Sequence, residues 1–250
     1  MWSLLSLFGA GLLAGAMNSL AGGGTFVTLP ALIAAGLPSV TANTTSTVAL
    51  WPGAVVGAST YFTGLRPVCG VGAWPLLATT VAGGLLGSLL LLWTPSSAFD
   101  VVLPWLLLLA TLALAFGRRV GAALEGRLRS LTPLVLVVQF GLGVYGGYFG
   151  GAVGLMMVAA WSLFGETDVK SLNGPRMMMV TAANTVASLA FVIAGAINWA
   201  AALPVLAGGM LGGFAGARLG RWLPPGAVRL VTLCATAAIT CIFFARAYAR

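Results

Sequence analysis

Apolar runs of about 20 residues recur along this chain, the length at which an α-helix crosses a ~30 Å hydrocarbon layer. They fall near residues 2–21, 26–36, 42–63, 69–93 and 99–117, and again near 132–148, 152–164, 173–195, 199–217 and 227–245. Of 250 residues, 60% are hydrophobic and 6% charged, with no histidine, which is more apolar surface than a soluble fold of this size can hide. The expected fold class is an all-α, multi-pass integral membrane protein. The N-terminal run MWSLLSLFGAG carries no positive charge and continues past any small-residue cleavage point, so it reads as part of the mature fold rather than as a secretory signal.

The two series of runs follow one pattern: a short broken pair, then three full-length segments. Residues agree as well as lengths. GAMNSLAGGG (15–24) parallels GVYGGYFGGA (143–152), and TAN (41–43) parallels SLN (171–173). AGGLLGS (82–88) parallels AGGMLGG (207–213), and WTP (93–95) parallels WLP (222–224). The reading is an internal duplication within one membrane domain: a first repeat at 1–117, a basic cytoplasmic linker at 118–130, and a second repeat at 131–250.

The broken pair sets the orientation of the halves. Residues 2–36 as one helix would be about 52 Å long, too long for one upright crossing. Folding at the glycines gives a re-entrant-like pair that enters and leaves on one side. Each half then crosses an odd number of times, and the second is inverted. Charge leans the same way. Inversion places Arg66, Arg118, Arg119, Arg127, Arg129, Lys170, Arg218, Arg221 and Arg229 together as cytoplasmic, and leaves only Arg246 and Arg250 outside. The net charge of +8 is therefore read as membrane topology, not as a nucleic-acid surface. Cys69, Cys234 and Cys241 form no metal-ligand spacing, and Cys234 and Cys241, on one helical face, read as packing residues. Glu166, Asp168 and Lys170 read as a short solvated charged loop.

Non-helical backbone at membrane depth must be buried in protein or line a water-filled cavity. A break at Gly22, Gly23 and Gly24 exposes backbone N–H groups at a helix start near Thr25, an end that suits an anion. Gly150 and Gly151 repeat the device, and two such helix starts would face each other near the midplane. The other reading of membrane glycines is close helix packing, which better fits GGLLGS and GGMLGGFAG. Polar residues gather at the same depth. Asn43, Thr44, Thr45 and Ser46 open the third segment, Asn18 precedes the first break, and Asn173 precedes Pro175, which suits a helix first turn. Arg176 lies just inside an apolar run, with Asn184 two turns further in. An intramembrane charge is a functional hypothesis by default; the bland alternative is a cation snorkelling to the cytoplasmic boundary.

No acid cluster suits a divalent metal, no buried carboxylate relay is visible, and no Ser-His-Asp, Cys-His or Walker-type arrangement exists. No metal, cofactor or catalytic residue is expected, and the chain does not read as an enzyme.

N-x-x-A-G-G-G (18–24) followed by A-N-T-T-S (42–46) resembles the sulfite exporter TauE/SafE family, as do D-V-K-S-L-N-G-P-R (168–176), A-N (183–184) and F-V-I-A-G-A-I-N-W (191–199) in the second half. The resemblance covers nearly the whole chain. It implies a secondary transporter of the bacterial inner membrane that exports sulfite, organosulfonates or related small anions by alternating access, with the two glycine breaks and polar helix starts as its central site. Where this chain has Arg176 the family commonly has a basic residue, usually lysine, which implies a substrate role; an arginine fork holds two oxygens of a sulfur oxyanion. Gly174-Pro175 departs from the family's more usual Thr-Ser-like pair and removes side-chain donors. The implied partners are a small anionic substrate and the lipid bilayer, with no nucleic acid; a homodimer is left open. The rival readings are a passive anion channel and a carrier of other small organic acids; saturation and counterflow separate a carrier from a channel.

Overall fold

The structure, a computed structural model, describes residues 4–59, 66–123, 132–166, 171–219, 222 and 225–248. The apolar runs become ten helices among these residues. They are α1 (Leu4–Ala21), α2 (Thr25–Ala34), α3 (Ser39–Ser59), α4 (Ala73–Trp93), α5 (Ser96–Ala123), α6 (Thr132–Tyr148), α7 (Val153–Leu163), α8 (Asn173–Ile193), α9 (Trp199–Leu219) and α10 (Pro225–Tyr248). Five of them contain a stretch long and apolar enough to span a membrane: α4, α5, α8, α9 and α10. The short pairs α1–α2 and α6–α7 sit where the broken segments were expected. Helix α5 runs on to Ala123; the rest of the basic stretch lies outside the described residues, as do Lys170, Arg221 and Arg250.

Two glycine seams hold the helices together. In the first, α1 runs parallel to α9: Phe8 and Leu12 lie against Gly208 and Gly212, and Ala16 and Ser19 against Gly216. A Cβ added to Gly15 would collide with the carbonyl oxygen of Gly209, and one on Gly212 with that of Leu12. The second seam joins α4 to α6, also parallel. There a Cβ on Gly87 would strike the carbonyl of Val144, and one on Gly147 that of Gly84. Small residues let the backbones touch and gain dispersion contacts that lipid cannot supply. AGGLLGS and AGGMLGG are thus packing surfaces.

Between the seams, α3 crosses α8 antiparallel. Trp51 Nε1 donates to Thr185 Oγ1 at 2.8 Å, and Thr181 Oγ1 to the Ala54 carbonyl at 3.2 Å. Helices α5 and α10 are also antiparallel: Trp105 Nε1 donates to Tyr248 Oη (2.9 Å), Thr111 and Thr240 share a hydrogen bond (3.1 Å), and Arg229 Nη2 donates to the Ala115 carbonyl (2.9 Å). Exchanging each helix for the one five places along turns the α1–α9 seam into the α6–α4 seam and maps α3–α8 and α5–α10 onto themselves.

The core is apolar and aromatic, with Phe26, Phe99, Phe149, Phe191 and Trp161 fully buried. One buried polar network braces it: Trp161 Nε1 donates to Gln139 Oε1, and Gln139 Nε2 to Thr80 Oγ1. Trp74 and Trp93 at the two ends of α4, and Trp199 at the start of α9, point outward, as interfacial anchors do. Cys234 and Cys241 do not pack inside as expected; both are exposed on the outer side of α10, where a helix in lipid keeps apolar residues without burying them in protein.

Candidate functional site at the paired helix breaks

At the first break α1 ends at Ala21 and Gly22 turns with φ +76°, a conformation that an L side chain strains to adopt. Its amide bonds the carbonyls of Met17 and Asn18. The chain then folds back, so that a Cβ on Gly24 would stand 2.8 Å from the Ala14 carbonyl oxygen and 3.1 Å from Asn18 Cβ. Helix α2 opens at Thr25, with the amides of Phe26 and Val27 on the carbonyls of Gly23 and Gly24. Among the described residues the Gly23 and Gly24 amides meet no acceptor.

The second break repeats this backbone. Helix α6 ends at Tyr148, Gly150 turns with φ +78°, and its amide bonds the Tyr145 carbonyl at 3.2 Å. Ala152 (φ +57°) precedes α7, and the amides of Gly151 and Ala152 meet no acceptor among the described residues. The two breaks lie side by side. Phe26, just after the first, meets Phe149 of the second edge-on at 6.4 Å, and Asn43 Nδ2 donates to the Tyr148 carbonyl at 2.9 Å.

The polar residues of α3 are mostly committed. Thr44 Oγ1 donates to the carbonyls of Thr41 and Ala196, Thr45 Oγ1 accepts the Asn198 amide, and Ser46 Oγ shares a hydrogen bond with Thr28 Oγ1. Thr44 and Thr45 thereby anchor the α8–α9 loop to α3. Asn43 keeps a buried Oδ1 with no partner among the described residues. Asn18 and Thr25 are half-buried beside the first break.

On α8, Asn173 opens the helix and Arg176 follows one turn later on the same face. The Arg176 stem crosses Gly154 in the first turn of α7: its Cγ and Cδ each lie 3.3 Å from where a Cβ on Gly154 would stand. Asn184 reaches the second break, its Oδ1 3.6 Å from the corresponding point on Gly150. That oxygen and Ser188 Oγ, one turn on, are buried and unpartnered among the described residues.

Glu166 is not solvated as its loop was expected to be. Its Oε1 accepts the Cys69 amide at 2.7 Å, its Oε2 lies 3.4 Å from Arg66 Nη2, and Arg66 also bonds Ser171. The carboxylate thus pins the α3–α4 loop onto the end of α7, and the Arg66–Ser171 bond ties the same loop to the approach to α8. Burial first, and the Glu166 charge second, push the Cys69 thiol up to about 12. Asp168, read with Glu166 as one loop, lies outside the described residues.

A profile of the sulfite exporter TauE/SafE family matches residues 7–243. The chain belongs to that family. It is 32% identical over 219 residues to a probable membrane transporter protein of Haemophilus influenzae, spanning 86% of this chain and 84% of that one. It is 30% identical over 215 residues to the probable membrane transporter protein YfcA of Escherichia coli K12 (85% and 79%), and 28% over 219 residues to the probable membrane transporter protein ORF9 of a Sinorhizobium species (86% and 82%). No solved structure matches it. The chain is a bacterial integral membrane transporter of a small molecule, and not an enzyme.

Sequence reasoning missed Ser188 and the bed that Gly154 makes for Arg176. The first was available as a second polar residue four positions after Asn184 in N-T-V-A-S, on the same helix face. The second was not, because it needs the tertiary meeting of α7 and α8.

Proposed function

We propose that the protein exports a small sulfur-containing oxyanion, sulfite or an organosulfonate, by alternating access of two inverted repeats around the paired breaks. The carrying observation is Arg176, laid across Gly154 within a turn of the unpaired Gly151 and Ala152 amides. An arginine whose stem packs on the first turn of a helix with open amides can carry its guanidinium to a multi-oxygen anion held at that helix start. The inverted arrangement is supported by the antiparallel pairs α3–α8 and α5–α10, since corresponding helices of inverted repeats run in opposite directions. Each chain carries both breaks, so a homodimer adds nothing the site requires.

The test is thermal stabilisation of the purified protein by sulfite, thiosulfate, sulfate, sulfoacetate, taurine and short carboxylates. A sulfur oxyanion or sulfonate is expected to stabilise wild type, and Arg176→Ala to weaken its binding by about 1.5–3 kcal/mol, roughly 10- to 150-fold. Stabilisation by carboxylates alone, or equally in the variant, overturns the reading.

A further inference from the structure

Around the second break, oxygen atoms collect that accept hydrogen bonds and receive none. Because Gly150 gives its amide to the Tyr145 carbonyl, the buried carbonyls of Gly146 and Gly147 have no backbone donor among the described residues. A Cβ on Gly150 would stand 3.4 Å from the Gly146 oxygen and 3.6 Å from Asn184 Oδ1, so both border one small space. Asn43 reaches the same turn through Tyr148; its Nδ2 makes that bond, and its Oδ1, on a residue 1% exposed, is left as an acceptor. Ser188, also 1% exposed, continues the Asn184 face of α8 toward Ala196, where Thr44, the neighbour of Asn43, is bonded.

A buried polar atom without a partner is costly, and a fold seldom keeps several of them in one region without a ligand. The set is neutral and rich in acceptors, and the carbonyl end of the α6 dipole points into it. Hard cations take oxygen ligands, and a site without carboxylates suits a single charge better than a double one. We propose that the second break binds a small monovalent cation of the sodium class, on Asn43 Oδ1, Asn184 Oδ1, Ser188 Oγ and the carbonyls of Gly146 and Gly147. The cation sits at the carbonyl end of α6 and the anion at the amide end of α7. Opposite charges so close favour each other's binding, so occupancy of one position raises affinity at the other. The first break lacks such a site: in the register that pairs Asn43 with Asn173, Asn184 and Ser188 correspond to Ala54 and Ala58.

The inference rests on the second break as the transport site but not on the identity of the anion, so it is tested with no candidate substrate present. Purified protein in choline chloride is titrated with sodium chloride at constant ionic strength, and the apparent melting temperature is followed. A saturable upward shift is expected in wild type. Ser188→Ala and Asn184→Ala should each need roughly tenfold more sodium, the effect of losing one ligand worth about 1.4 kcal/mol. Asn184→Asp, which keeps the oxygen and adds charge, should need less, and it decides the matter if the alanine variants do not fold. No sodium response beyond that to choline, or a response unchanged in the variants, overturns the cation site while leaving the anion assay untouched.

Discussion

Gly22 turns the chain at φ +76° and Gly150 at +78°, and each sends its amide five residues back, to Met17 and to Tyr145. The side chains around the two turns differ. Gly24 of the first faces Leu50, and the hydroxyls nearby, Thr28 and Ser46, satisfy each other. Near the second lie Arg176, Asn184 and Ser188, where the register that pairs Asn43 with Asn173 puts Ser46, Ala54 and Ala58 in the first repeat. The two turns share a backbone device, but the charge of Arg176 and the unpartnered oxygens of Asn184 and Ser188 have no counterpart on α3. On the proposed mechanism both breaks present two faces in turn, and the second alone recognises the cargo.

The largest effects should treat the halves alike, because the seams are shared scaffold. Gly15→Val in α1 and Gly87→Val in α4 each push a side chain into an opposing backbone. Each should cost on the order of 3 kcal/mol and strip most folded protein from the membrane, measured as monodisperse yield after extraction. If one seam tolerates valine and the other does not, the halves do not share their packing.

The glycine turns sharpen the contrast. Gly22→Ala and Gly150→Ala should both lose about 1–2 kcal/mol to left-handed backbone strain. A Cβ at Gly22 meets nothing within 4 Å, whereas at Gly150 it enters the space bordered by Gly146 and Asn184. Gly22→Ala should therefore keep its substrate affinity, and Gly150→Ala should lose it at similar thermal stability. Equal affinities would remove the distinction.

The gross fold was legible because membrane length and glycine placement are local signals: both breaks and the packing glycines follow from spacing alone. The division of the polar residues was not. Thr44 and Thr45 read like site residues but anchor the backbone of the α8–α9 loop, and Glu166 read like a solvent charge but holds the α3–α4 loop. Those partners are distant in sequence, and only packing brings them within reach.

The two loop anchors give the smallest expected effect. The α8–α9 loop is held by neutral hydroxyls, the α3–α4 loop by a carboxylate. Glu166→Gln should cost only about 0.5–1 kcal/mol, because Arg66 is partly in solvent. Removing the charge should also lower the Cys69 thiol from about 12, raise its thiolate fraction at any pH below that, and speed its alkylation near pH 8. An unchanged alkylation rate would show that burial alone sets the thiol.

The most direct test of a single recognising break is counterflow in proteoliposomes, using the anion that most stabilises wild type. Arg176→Ser makes the second break resemble the first, Arg176→Lys keeps the charge without the fork, and Ser46→Ala alters the corresponding position of the first repeat. Expected is saturable exchange in wild type, partial exchange with lysine, none above empty vesicles with Arg176→Ser, and near-normal exchange with Ser46→Ala. Exchange by Arg176→Ser at the wild-type rate, or its loss in Ser46→Ala alone, would contradict recognition at the second break.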